Sequence, residues 1–331
     1  MSTADILQGQ LQAFRDDFQR LRKQIGKTII GQQEVVDGVI AAFVAGGHVL
    51  IEGPPGSGKT VLAKALAGAV DGVYRRIQFT PDLMPADIVG TYIVLESQGR
   101  RRFEFQQGPL FANVLLADEI NRATPKTQSA LLEGLDEHAV TVANERYTLP
   151  APFFVIATQG DDTADGVFPL PPKQLDRFLV RLRVPAPDAG EMEAILEHTT
   201  APQEHPTSAP VSGERIVQMS QVARQVTIAN DLCNYAARIV AATHSSAEEA
   251  IDSVKQFVAR GAGVRGAQAM VLSAKVRAIM DDRTYVAADD LQASAVETLA
   301  HRLTLNFEGQ AEGIEAEAII SEVLNTVKKM V

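Results

Sequence analysis

One cysteine, Cys233, stands in a chain of 331 residues, so no internal disulfide can form, and the expected setting is the reducing cytoplasm. Lysine- and arginine-rich runs are missing too. The densest cluster is Arg100-Arg101-Arg102, and the formal net charge is -10. A surface of that sign repels a phosphate backbone, which argues against nucleic-acid binding. No uncharged apolar window reaches membrane-spanning length, and the N-terminus lacks the basic-then-apolar order of a signal peptide, so neither membrane insertion nor export is expected. The six histidines lie far apart, and no Cys/His set has metal-ligand spacing, which leaves a structural metal without support.

What is present is ordinary globular material, 46% hydrophobic and 22% charged, enough for two cores. Leu7, Leu11, Phe14, Phe18, Leu21 and Ile25 recur at spacings of four and three, an amphipathic helix laid across its own domain. Val35 to Phe43 mark a second helix, ended by Gly46-Gly47. Then strands and helices alternate. The strands are His48 to Ile51, Val73 to Phe79, Val114 to Ala117, Phe153 to Ala157 and Phe178 to Val184, with helices at Thr60 to Val70 and from Thr124, where a capping hydroxyl precedes Pro125. This alternation predicts an α/β fold with a parallel sheet covered by helices on both faces. Two interruptions read as hairpins, Tyr92–Gln106 about Ser97-Gln98-Gly99-Arg100, and Val140–Leu149 about Ala143-Asn144-Glu145-Arg146. Pro185-Ala186-Pro187 ends the α/β part, Ala201 to Ser212 reads as a linker, and helical periods follow, as in Ile228 to Val240 and Met270 to Ile279. The expected division is an N-terminal helix over 1–27, an α/β domain over 28–187 and a small helical domain over 188–331, with 188–212 as the helix and linker leading into it.

Gly53-Pro54-Pro55-Gly56-Ser57-Gly58-Lys59-Thr60 satisfies the phosphate-loop pattern between an apolar strand and a helix. Its glycines let backbone N–H groups turn inward around an anion. Lys59 supplies a mobile charge for the β- and γ-phosphates, and the Thr60 hydroxyl a ligand for Mg²⁺. The helix beginning there points its positive end at the phosphates, and the nucleotide-binding stretch is taken through Val61. Such a loop alone binds nucleotide. Hydrolysis needs an acid for the metal and a group to activate water, and Val114-Leu115-Leu116-Ala117-Asp118-Glu119 offers both at a strand tip. Asp118 would hold Mg²⁺ and Glu119 would polarise the attacking water.

Further segments are more specific than the phosphate loop: Ile29-Ile30-Gly31-Gln32, Gly108-Pro109-Leu110-Phe111, Asp118-Glu119-Ile120-Asn121-Arg122-Ala123, Lys126 to Glu133, Gln174-Leu175-Asp176-Arg177-Phe178 and His301-Arg302-Leu303. Through these, the chain resembles the AAA+ superfamily, and within it the MoxR family, over nearly its whole length. The resemblance implies an AAA+ core followed by a helical lid. It implies that Ile29, Ile30 and Gly31 pack on adenine, that Arg177 is the arginine finger entering a neighbouring subunit's pocket, and that Arg265 reaches the γ-phosphate from the lid. Where the family's lid motif has Ser-Pro, this chain has Gly263-Val264. At the end of the strand Val155–Thr158, the family's water-orienting asparagine is replaced by Gly160, followed by Asp161 and Asp162; Thr158 or Gln159 substitutes, or one of the two acids shifts in, or hydrolysis is slow, with Thr158 favoured. The hairpins resemble insertions that line the pore of a ring, or else they cover the sheet edge.

The function so implied is that of a chaperone-like ATPase. It would assemble as a homo-oligomeric ring, six-membered by resemblance, and use ATP and Mg²⁺ to remodel or activate protein complexes. A von Willebrand factor A domain protein is the implied partner. Two other classes stay open on the residues alone: a nucleic-acid motor, which the acidic balance disfavours, and a nucleotide switch or scaffold with little hydrolysis, which Gly160 makes conceivable.

Overall fold

The computed structural model describes residues 3–97, 100–160, 167–200 and 210–327. Its strands are β1 (Val49–Glu52), β2 (Tyr74–Gln78), β3 (Gly90–Ser97), β4 (Arg100–Gln107), β5 (Val114–Asp118), β6 (Ala139–Val142), β7 (Glu145–Thr148), β8 (Phe154–Thr158) and β9 (Val180–Arg183). The main helices are α1 (Thr3–Ile25), α2 (Gln33–Val44), α3 (Lys59–Ala69), α4 (Pro125–Glu137) and α5 (Ala189–Thr200). The lid contributes α6 (Gly213–Gln225), α7 (Asn230–Ala242), α8 (Val264–Met280), α9 (Ala288–Leu299) and α10 (Ala316–Thr326).

The five expected strands form one parallel sheet in the order β9-β1-β8-β5-β2. Both its faces are buried, as the near-continuous apolar strands require. Val49, Ile51, Val114, Leu116, Phe154 and Ile156 face a core shared with α1, α2, α3 and the lid helices. Leu50, Leu115, Ala117, Val155 and Ala157 face a second core under α4. Strand period two has therefore split each apolar run between two clusters. On α1, Leu11, Phe14, Phe18, Leu21 and Ile25 are buried in the first of these, while the Leu7 side chain lies outside the described set.

Several local expectations are corrected. Helix α4 does begin at Pro125, but the Thr124 hydroxyl lies 3.3 Å from that of Thr127 and caps no backbone N–H. The turn between β6 and β7 is two residues long, because Ala143 and Asn144 both adopt positive φ (49° and 67°) while Glu145 and Arg146 pair with Val142 and Thr141. The first hairpin likewise pairs Ser97 with Arg100, and its tip, Gln98-Gly99, lies outside the described residues. Residues 201–209 of the expected linker are outside them as well, and Val211–Ser212 is a short strand beside Val70–Asp71. Within the helical lid, Val258–Arg260 pairs antiparallel with Thr304–Leu305. The two hairpins touch through aromatics: Phe105 stacks on Tyr147 at 4.2 Å and the Tyr92 hydroxyl lies 2.6 Å from that of Tyr147. No helix among the described residues is long and apolar enough to cross a membrane.

His48 fastens the sheet to α4. Its Nδ1 accepts from the Val155 backbone N–H at 3.1 Å and its Nε2 lies 3.2 Å from the Leu135 carbonyl, so the ring is neutral with the proton on Nε2. Burial, reinforced by the nearby His138, pushes its pKa down from 6.5 to about 4. A depressed histidine pKa means that the unfolded chain binds the proton more readily. Stability should therefore be full above pH 6.5 and fall as the pH drops toward about 4. By pH 5 the loss from this one residue is expected to be about 2 kcal/mol. Urea denaturation across that range tests this: His48→Gln should flatten the pH slope even if the variant begins less stable, and an unaltered slope would exclude His48 as its source.

Candidate active site

The functional loops leave the carboxyl ends of β1, β5 and β8, three neighbours in the sheet. After β1 the chain turns through Gly56 and Gly58, at φ +80° and +88°, where a side chain would be strained but would meet no neighbour within 4 Å. Gly53 has the opposite reason: a Cβ there would come within 2.6 Å of the Val184 carbonyl beyond β9. The result is a cavity of about 330 Å³ lined by Gly53, Pro55, Gly56, Ser57, Gly58, Lys59, Thr60 and Val61 on one side, and by Arg76, Gln78, Asp118, Glu119, Gln159 and Gly160 on the other.

Lys59 Nζ donates to the carbonyls of Gly53 (2.7 Å) and Pro54 (2.9 Å). Partial burial lowers its pKa, while the carboxylates of Asp118 and Glu119 oppose that shift. Thr60 Oγ1 lies 3.4 Å from Asp118 Oδ2, so the two oxygens expected to hold Mg²⁺ stand side by side. A hydroxyl beside a carboxylate is the hard oxygen pair that Mg²⁺ takes from protein, its other sites filled by phosphate and water. Asp118 is buried at the strand end, where Thr158 Oγ1 donates to its Oδ1 (2.7 Å) and Arg76 to its Oδ2 from Nη2 (2.7 Å) and Nε (3.1 Å). Glu119, at φ 57°, turns its carboxylate toward Gln78 Nε2 (3.2 Å) and Arg122 (3.0 Å).

Thr158 is fully buried, and its hydroxyl both donates to Asp118 and accepts from the Glu119 backbone N–H at 2.8 Å. Those bonds make it a support for the two acids. Gln159, the next residue, lines the cavity in its stead. Gly160 is held by Asn121, whose Oδ1 accepts from its N–H (3.0 Å) and whose Nδ2 donates to its carbonyl (3.2 Å), while Asp161 and Asp162 lie outside the described residues. Ile29, Ile30 and Gly31 are not among the cavity residues. They sit behind the loop, joined to it by Gln32 Nε2, which donates to the Ser57 carbonyl at 3.3 Å, and a Cβ on Gly31 would meet Glu191 of α5 at 2.4 Å.

Nor are Arg177 and Arg265 at the cavity. Both are paired with one carboxylate, Asp136 at the end of α4, Arg177 through Nε at 3.0 Å and Arg265 through Nη1 at 3.1 Å. The structure therefore gathers the expected site residues into two groups: Lys59, Thr60, Asp118 and Glu119 around the cavity, and the two arginines together elsewhere. Arg76, Gln78 and Asp136 carry no motif that marks them in the sequence. Arg76 is on β2, whose register sets Gln78 beside Asp118, and only the strand order, which linear spacing does not reveal, brings it there.

Comparison with known proteins identifies the family and the fold. Residues 48–180 match the family described as ATPase family associated with various cellular activities (AAA), and residues 252–323 match the AAA lid domain. The chain is 38% identical over 306 residues to Chaperone MoxR1 of Mycobacterium tuberculosis, covering 92% of this chain and 80% of that one. It belongs to the MoxR family of AAA+ ATPases. Protein MoxR of Methylorubrum extorquens is 29% identical over 308 residues, with 88% and 89% of the two chains covered. A crystal structure of a candidate ATPase from Cytophaga hutchinsonii superposes with a TM-score of 0.90 at 34% identity and covers 98% of each chain. The parallel sheet and the helical lid of this MoxR-family chain are thus the AAA and lid folds.

Thr158→Val keeps the volume of the side chain and removes its hydroxyl. That strands the Glu119 N–H and withdraws a donor from Asp118, so denaturation should show a loss of about 1–3 kcal/mol. Unchanged stability would mean that the hydroxyl's two bonds contribute nothing.

Proposed function

We propose that this MoxR-family protein is an ATP-driven, chaperone-like remodelling machine whose active site is completed between neighbouring copies in a ring, six-membered as the family resemblance implies. The observation that carries the reading is the separation just described. Lys59, Thr60, Asp118 and Glu119 surround the cavity, whereas Arg177 and Arg265 are held together on Asp136, outside its lining. A lone subunit then has a site for ATP with its finger arginine pointed elsewhere, and a second copy supplies the missing cation.

In that reading Lys59 moves from the loop carbonyls onto the β- and γ-phosphates, and the N–H groups between Gly56 and Thr60 cradle them. Mg²⁺, held by Thr60 and Asp118, would neutralise charge developing between the β- and γ-phosphates. Glu119 takes a proton from the water that attacks the γ-phosphorus, the bond to the β–γ bridging oxygen breaks, and ADP leaves. Gln159, the amide at the cavity wall, orients that water. Arg177 from the neighbouring copy stabilises charge on the transferred phosphoryl, and Arg265 approaches from the same side. The proposed partners are further copies of the chain and, following the family resemblance, a protein with a von Willebrand factor A domain. The relative's name, Chaperone MoxR1, supports a protein client.

Two substitutions test this. Glu119→Gln should bind ATP and retain it, with turnover close to zero. Arg177→Ala should bind ATP with little change in affinity, while turnover falls by about 10³-fold or more. Steady-state turnover and nucleotide-binding titrations give both readouts. An Arg177→Ala protein that hydrolyses ATP at the wild-type rate would remove the shared-site reading.

A further inference from the structure

Three separated segments converge on one buried side chain. Arg302, at the end of the 3₁₀ turn Ala300–Arg302 that follows α9, is 6% exposed. Its Nε donates to Asp176 Oδ1 at 2.8 Å and its Nη2 to the carbonyls of Asp176 (3.2 Å) and Phe178 (2.7 Å). Its Nη1 reaches the carbonyls of Leu179 (3.2 Å) and Thr298. Arg177 lies between two of these clamped residues. Arg302 therefore grips the backbone on either side of Arg177 without touching Arg177 itself.

The same side chain supports the start of α8. A Cβ on Gly266, the residue after Arg265, would stand 3.2 Å from Arg302 Cδ and 2.9 Å from Leu299 Cδ2. That close packing seats the first turn of α8, with Arg265, on the stem of Arg302. The two outward arginines are then fixed to each other twice, through the shared carboxylate of Asp136 and through Arg302 behind them.

We infer that Arg302 and its partner Asp176 are positioning residues: they join the lid to the Arg177 segment so that Arg177 and Arg265 are presented as one rigid pair to the pocket of an adjacent copy. A purely structural ion pair would need only Asp176. This guanidinium also takes three carbonyls of residues 176–179, and a planar fork of five donors suits that task where an ammonium does not. Displacing a catalytic group by about 1 Å can cost about 10²-fold in rate, so loosening this strap is felt by a neighbour's reaction and not by ATP binding in the subunit's own cavity. The inference rests on Arg177 acting in the neighbour's pocket.

Asp176→Asn removes the charge but leaves Arg302 and its carbonyl bonds. Arg302→Lys keeps the charge and loses the fork. Both should lower kcat about tenfold or more, with KM for ATP within about twofold of wild type, and Asp176→Glu should recover part of the rate. Mixed assemblies give the decisive readout. Arg302→Lys subunits have a sound pocket and a loose finger, whereas Glu119→Gln subunits have a dead pocket and a sound finger, so the mixture should hydrolyse ATP faster than the sum of the two proteins apart. If Arg302→Lys fails to fold, Asp176→Asn takes its place in the mixture. A variant that is slow but gains nothing on mixing has a defect in its own pocket, and that overturns the inference, as does wild-type kcat in Asp176→Asn. Arg177→Ala run in parallel separates the two claims. If it is inactive while Asp176→Asn is fully active, only the strap falls, whereas full activity in Arg177→Ala removes the finger itself.

Discussion

Asp118 places a carboxylate at the end of a strand whose other four residues are all buried apolar side chains, and the nucleotide cavity is organised around keeping that charge there. A buried charge is tolerated only when it is paired and hydrogen-bonded. Thr158 on β8 and Arg76 on β2 do this from the two strands flanking β5, with Thr60 from the first turn of α3. The sheet order is therefore an electrostatic requirement as well as a packing one. Were β8 or β2 elsewhere, Asp118 would lose its donor or its cation. Because Thr158 also holds the Glu119 N–H, one hydroxyl sets the relative placement of the two acids.

Much of this was legible in linear order, and the physical reason is locality. A phosphate loop is a contiguous turn whose glycines, lysine and threonine work through their own backbone, so Gly53 to Thr60 can be read directly. The acid pair ends an apolar strand and is equally local. The five strands were readable because a sheet covered on both faces leaves unbroken apolar runs. What was hidden depends on neighbours distant in sequence. Arg76 looks like any exposed residue of an edge strand until β5 is laid beside it. Linear order does not distinguish Thr158 from Gln159 as a water-orienting group, but the strand's alternation turns Thr158 inward onto Asp118 and leaves Gln159 at the cavity wall. The two-residue turn between β6 and β7 is hidden in the sequence because Ala143 adopts positive φ, a conformation that alanine does not advertise.

By resemblance, the lid motif and the Gln174–Phe178 segment are two separate sources of arginine. Their contact through Asp136 and Arg302 could not be read, since it joins residues from four parts of the chain. His301-Arg302-Leu303, which carries the family likeness, is not among the residues that line the cavity. Its arginine holds the backbone of residues 176–179. His301 lies against the same cluster, its Nε2 2.8 Å from Arg302 Nη1 and 3.1 Å from the Phe178 carbonyl, and burial together with the adjacent Arg302 holds its pKa well below the usual histidine range.

Helix α4 deserves its place in this picture for what lies at its two ends. It starts at Pro125, three residues after the Arg122 that pairs with Glu119, and its last turn carries Asp136. Thirteen residues of α-helix make a rod of about 20 Å. One end of that rod rests beside the Glu119–Arg122 pair at the cavity, and the other holds Arg177 and Arg265. The length of this one helix therefore fixes how far the acid end of the cavity stands from the Arg177–Arg265 pair within a single subunit.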